Sequence, residues 1–124
     1  ALARLRIEGF DIRARSPAAR VRHLSGGNIQ KVLLARELSR EVRVAILAKP
    51  THGLDARNAA AIRDRIRAAA AGGAAVLLIA SDLDEILDLS HRIAVMAGGR
   101  IRAVLPNGPG AAAAVVRLMS EAAP

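Results

Sequence analysis

Leu24-Ser25-Gly26-Gly27-Asn28-Ile29-Gln30-Lys31, running on into Val32-Leu33-Leu34-Ala35-Arg36-Glu37-Leu38, is the stretch that decides how this chain folds. A small hydroxyl residue, two glycines and then apolar residues at helical spacing (Ile29 with Leu33, Val32 with Ala35, Leu34 with Leu38) mark a helix over about 26–39 capped by Ser25. Such a start presents unpaired N–H groups and the positive end of the helix dipole, which together form an anion site. Glycine at 26 and 27 removes side-chain bulk so that a phosphate can approach the backbone, and the Ser25 hydroxyl can donate one more hydrogen bond. Taken alone, Ser-Gly-Gly is equally an ordinary cap with a glycine-rich turn.

Working outward, residues 42–48 form an almost uninterrupted apolar run between Glu41 and Pro50, the pattern of a strand buried on both faces of a parallel sheet. Pro50-Thr51-His52-Gly53-Leu54-Asp55 follows. Asp55 then opens a helix to about residue 71, with Ala59, Ile62, Ile66 and Ala69 on one face and Gly72-Gly73 as its stop. A second buried strand is expected at 74–80. Ser81 is placed to cap a short acidic helix at 82–89, with Asp84 at the capping-box position. Residues 92–96 and 100–105 read as a hairpin about Gly98-Gly99, and 106–110 break the chain before a small Ala-rich helix. Upstream, residues 1–10 read as the end of a helix stopped by Gly9, and 11–23 as an extended linker.

Composition narrows the function classes. At 124 residues the chain holds one domain at most. Phe10 is its sole aromatic, so the core is built from Leu, Ile, Val and Ala. Absence of cysteine excludes disulfides and thiolate metal sites. No apolar stretch nears the roughly 20 residues that span a bilayer, and no secretory signal is seen, so a cytoplasmic domain is expected. The formal charge of +8 is carried mostly by Arg spread along the chain; without interleaved aromatics for base stacking, nucleic acid is not the expected partner. His23, His52 and His91 lack metal-ligand spacing, and Asp82, Asp84, Glu85 and Asp88 do not have the spacing of a calcium loop.

The ordered landmarks Leu24–Asn28 with Gln30-Lys31, the apolar strand at 44–49, Pro50–Asp55 and Ser81 resemble the ATP-binding subunit of ABC transporters. The resemblance covers roughly residues 1–105. It implies an α/β fold: a partial P-loop NTPase domain, comprising the later half of a parallel sheet with flanking helices and a terminal β-hairpin. Residues 1–41 would be the end of a helical subdomain and the signature helix, 42–105 a portion of the α/β core, and 106–124 a C-terminal tail. By the same resemblance, Ser25, Gly26, Gly27 and Asn28 bind ATP in trans, and Asp55 is the D-loop residue that touches an opposing phosphate loop. Cofactors would be ATP and Mg²⁺, held mainly by a missing or partner half. No G-x-x-x-x-G-K-[ST] loop occurs here, so the chain looks like a fragment of a longer polypeptide.

Departures from the family pattern carry as much information. Ala48 and Lys49 stand where the Walker B motif usually has Asp-Glu. An alkyl group offers Mg²⁺ no oxygen, and a cation near phosphate is a poor general base. Lys49 is either a solvated strand-end residue or a charge that substitutes for the metal. Ser81 occupies the switch position usually held by His. The chain alone is therefore expected to be inactive as an ATPase.

Leu-Ser-Gly-Gly-Asn with Gln-Lys resembles the C-terminal half of the second, degenerate nucleotide-binding domain in duplicated importers of simple sugars and nucleosides, and within that group Pro50-Thr51-His52-Gly53-Leu54-Asp55 without a preceding Asp-Glu pair looks most like the nucleoside type. Such a resemblance implies an opposing nucleotide-binding half, transmembrane permease subunits and, indirectly, an extracytoplasmic substrate-binding protein as partners, and a peripheral place on the inner membrane face. Two alternatives share these residues: an ABC-type ATPase of DNA repair or translation, and a noncatalytic interaction remnant.

Overall fold

The computed structural model describes residues 2–38 and 42–121. The expected helix end at 39 and the Glu41 boundary lie outside them. The chain divides into two compact units, 1–79 and 80–124.

In the first unit, α1 (Leu2–Gly9) is followed by a loop with a 3₁₀ turn at Val21–His23, then α2 (Gly26–Leu38), β1 (Val44–Ala48), α3 (Ala56–Ala71) and β2 (Ala75–Ile79). The strands pair in parallel, Val44 opposite Ala75 through Ala48 opposite Ile79. Parallel neighbours need a crossover, which α3 supplies before packing on β2. Ala59, Ile62 and Ile66 fall on its buried face, and Ile62 is only 2% exposed. Leu34 and Ala35 fill the corresponding face of α2, which packs against both α1 and α3. Across this unit the Arg65 guanidinium sits 4.7 Å from the centre of the Phe10 ring, a cation–π contact for the one aromatic residue.

Two sequence expectations are corrected here. β1 is buried on one face only: Ala45 and Leu47 are covered, whereas Val44 and Ile46, with Leu77 and Ile79 opposite and diagonal to them, are exposed. Successive side chains of a strand point to opposite faces, so covering one face leaves every second residue open. Residues 11–23 are not simply extended. Ile12 is buried, Asp11 adopts a left-handed conformation (φ 47°), and the run closes with the 3₁₀ turn, where Leu24 N–H donates to the Val21 carbonyl at 3.0 Å. Side chains of α2 pin this segment, as described below.

The second unit contains α4 (Leu83–Leu89), β3 (Arg92–Ala97), β4 (Arg100–Pro106) and α5 (Ala111–Ser120). The expected hairpin forms, its two-residue turn made by Gly98 (φ 57°) and Gly99 (φ 71°), both in the left-handed region that such turns require. Ile93, Val95, Ala111 and Val115 form the core, with Leu83, Ile86, Leu87, Leu105 and Leu118 packed around it. Asn107 fastens the ends together: its side-chain amide donates to the Leu87 and Ser90 carbonyls, both at 2.7 Å, satisfying acceptors that the last turn of α4 leaves open. The acidic helix is capped by Asp82, not Ser81. The Asp82 carboxylate accepts from the Asp84 N–H at 3.0 Å and the Glu85 N–H at 3.5 Å, so the helix starts one residue later than expected. An Asp at this position offers the same capping geometry as Ser together with a negative charge at the positive end of the dipole.

Candidate functional site

α2 begins as a helix with an open end. Its first i→i−4 bond runs from the Ile29 N–H to the Ser25 carbonyl at 2.9 Å, so the Gly26 and Gly27 N–H groups have no intrahelical acceptor. Ser25 and Gly26 are exposed. The Ser25 hydroxyl oxygen accepts from the Asn28 side-chain amide at 2.9 Å and, more weakly, from the Asn28 N–H at 3.4 Å. Its own proton stays free to donate outward.

Asn28 is an internal strut. While its amide donates to Ser25, its Oδ1 accepts from the Arg13 N–H at 2.8 Å. Lys31, one turn on, is 6% exposed and reaches the Asp11 carbonyl at 3.0 Å and its carboxylate at 3.3 Å. Residues 11–13 are thereby tied along the side of α2. Gln30 makes a third tie, donating to the Pro50 carbonyl at 3.3 Å, which links α2 to the loop after β1. The residues that carried the family resemblance thus hold the helix start in place from several sides.

The loop after β1 turns sharply. Lys49 has φ 49°, uncommon for a residue with a side chain, and its N–H donates to the Ile79 carbonyl at 2.7 Å. Ala48 and Lys49 are both exposed, and Pro50 is buried. Two further turns, from His52 N–H to the Lys49 carbonyl and from Leu54 N–H to the Thr51 carbonyl, each at 3.2 Å, bring the chain to Asp55.

Asp55 caps α3. Its Oδ1 accepts from the Asn58 N–H at 2.9 Å, and its Oδ2 from the Asn58 side-chain amide at 2.6 Å. These bonds, the backbone one foremost, hold its carboxyl below the ordinary carboxylate value. Both oxygens are engaged, so neither is reserved for another contact, although each keeps acceptor capacity.

Asn58 also lies against α2. A Cβ built on Gly27 would sit 3.1 Å from the Asn58 amide nitrogen and 3.7 Å from Leu54, whereas one on Gly26 would meet nothing within 4 Å. The glycines therefore divide their work. Gly26 leaves the helix start open to solvent, and Gly27 lets α3 approach.

Two features of this region leave little mark in the sequence. Asn58 gave no signal, because its importance lies in contacts across the fold. Arg13, Arg15, Ala19, His23 and Leu24 line an open cavity of about 450 Å³ immediately before Ser25. A sign of it was available: no acidic residue occurs between Asp11 and Glu37, while Arg13, Arg15, Arg20 and Arg22 do. Ser81 is exposed in the second unit, between β2 and the Asp82 cap. His23, His52 and His91 are exposed. Mg²⁺ does not fit the residues present: Ala48 offers no oxygen, and the described residues contain no group of His, Asp and Glu able to hold a metal ion. Among them, too, no helix is long and apolar enough to cross a membrane.

A parallel strand pair joined by α3, a glycine-started helix before it and an antiparallel hairpin after it define part of an ATP-binding cassette, an α/β fold. It matches the solved dimer of the ATP-binding cassette MJ0796 bound to ADP and Pi with a TM-score of 0.74 over 86% of this chain and 46% of that one, at 20% identity. A second cassette, MJ1267 of an ABC transporter, matches with a TM-score of 0.76 over 94% of this chain and 47% of that one, at 22% identity.

More particularly, the chain is related to the ATP-binding proteins of sugar and nucleoside importers. It is 41% identical over 98 residues to the ribose import ATP-binding protein RbsA of Geobacillus kaustophilus, covering 79% of this chain and 20% of the relative. Against the arabinose import protein AraG of Pseudomonas syringae pv. tomato the identity is 40% over 99 residues, or 80% and 20%. Against the nucleoside import protein NupA of Lactococcus lactis subsp. cremoris it is 42% over 103 residues, or 83% and 20%. The chain spans about a fifth of the length of these curated relatives. No family model matches it.

Proposed function

We infer that the chain serves within the ATP-binding component of an importer for nucleosides or simple sugars, where the start of α2 completes an ATP site whose phosphate loop lies in an opposing half. The observation that carries this is the open helix start: unpaired Gly26 and Gly27 amides beside a Ser25 hydroxyl whose oxygen is already held by Asn28. Amides and a hydroxyl proton fixed in advance bind phosphate oxygens without reorganising when the halves close. Asn28 acts in this site by aiming Ser25. Asp55, kept ionised by Asn58, accepts from donors on the facing phosphate loop. The arginines before Ser25 raise the local potential and draw the anionic nucleotide inward.

The chain's own strand end plays the opposite part. Ala48, Lys49 and Ser81 replace the metal-ordering, water-polarising and switch residues, so this half does not hydrolyse. The opposing half, which holds Mg²⁺, does. On this account the chain is the later portion of the second, degenerate domain of a duplicated ATPase, docked against permease subunits at the inner membrane face. Ser25→Arg tests it. In the assembled protein a bulky cation at the helix start blocks closure over ATP, and ATP-driven uptake is lost. Undiminished uptake by that variant overturns the inference.

A further inference from the structure

Asn58 stands where two functional loops meet. Its N–H and its side-chain amide occupy separate oxygens of Asp55, at 2.9 and 2.6 Å. The same amide lies so close to Gly27 that a methyl group there would approach it to 3.1 Å. One short side chain therefore clasps the Asp55 carboxylate and abuts the second glycine of the signature. We propose that Asn58 is a positioning residue, setting the distance between the α2 amides and the Asp55 carboxylate so that both engage the opposing half as one rigid unit. The proposal deepens the trans-acting role inferred above and rests on it.

The side chain is the part that matters. Asn58→Ala keeps the backbone N–H that completes the Asp55 cap and introduces the strongest helix former, so α3 still folds. What is lost is the bond to the second carboxylate oxygen and the bulk that backs Gly27. Conversely, the methyl group of Gly27→Ala would lie 3.1 Å from the Asn58 amide nitrogen, close enough that Asn58 or the start of α2 must give by a few tenths of an ångström. Because a Cβ added at Gly27 would meet the Asn58 side chain first, removing that side chain relieves the conflict.

The experiment is a double-mutant cycle on ATP turnover, using the complete protein that contains this chain together with its opposing nucleotide-binding half. Gly27→Ala alone is expected to lower kcat about tenfold, and the same change in an Asn58→Ala background about twofold or less. Asn58→Ala alone lowers kcat with the KM for ATP unchanged, since ground-state nucleotide is held chiefly by the other half, and leaves the urea midpoint within the range of a surface substitution. Additive effects of the two substitutions, or a loss of stability without a change in kcat, overturn the proposal. Ser25→Arg in the same assay separates the two levels. If it abolishes turnover while the cycle is additive, only the role of Asn58 falls; if it leaves turnover intact, the trans-acting site falls as well.

Discussion

The start of α2 and the end of β1 lie in the same unit and are linked by the Gln30–Pro50 hydrogen bond, yet they present different chemistry. Around the helix start, Asn28 ties Ser25 to the Arg13 backbone, Lys31 holds Asp11, and Asn58, bonded to Asp55, lies against Gly27, while Ser25 and Gly26 stay exposed. At the strand end, the Ala48 and Lys49 side chains present neither a ligand oxygen nor a carboxylate base, while the backbone turns sharply at Lys49 and leads through Pro50 to Asp55. The contrast teaches that backbone architecture and side-chain chemistry are set separately: the end of β1 turns sharply without presenting a carboxylate. That turn leads the chain to Asp55 and, through Gln30, is tied to α2.

The most damaging way to test the contrast is Ser25→Arg, expected to reduce ATP turnover of the assembled protein by about a hundredfold or more, as loss of a set of transition-state donors does. Turnover close to wild type would place the helix start outside any active site. Next in size is Lys31→Ala. It removes a buried side chain and leaves the Asp11 carbonyl without its donor, so unfolding in urea should show a loss of roughly 2 kcal/mol. A shift of only a few tenths would mean that the tie to Asp11 contributes little.

A smaller effect is expected in acid. Because the Asp55 pKa is lowered on folding, its contribution is fully present above the ordinary carboxylate value and is lost as pH falls through the lowered one. The stability difference between wild type and Asp55→Asn should stay constant above about pH 5 and shrink below it. A difference independent of pH down to the acid limit would argue that the Asn58 bonds do not favour the ionised form.

The smallest effect should come from repairing the strand end. On the proposed reading, in which Ser81 stands at the switch position and an opposing half supplies the phosphate loop, Ala48→Asp with Lys49→Glu is expected to change ATP turnover by less than about twofold. A second active site in that variant would show that the strand end lacks only its carboxylates. Lys49→Ala sharpens the point: unchanged nucleotide affinity makes Lys49 a solvated strand-end residue, and weakened affinity gives its charge a part in binding.

How far the chain can be read from its residues differs from place to place. The helix face of Ala59, Ile62 and Ile66, the Gly98-Gly99 turn and the Asp55 cap follow from local periodicity, backbone conformational limits and side-chain reach, and the structure contains all of them. The cap of α4 was displaced by one residue because Ser81 and Asp82 are both competent caps, and local sequence does not rank them. The one-sided burial of β1 is not legible in the residues, because an apolar run reports how hydrophobic a strand is, not which neighbours cover it.

Sequence by itself determined the element order, the α/β class and the residues able to present amides to an anion, since each depends on groups within a turn or two of one another. Tertiary structure alone decided that Lys31 is buried against Asp11, that Asn28 braces Ser25 from the Arg13 backbone, and that Gly27 makes room for Asn58. Those contacts join residues far apart in the chain, and their distances exist only after α1, α2 and α3 have packed.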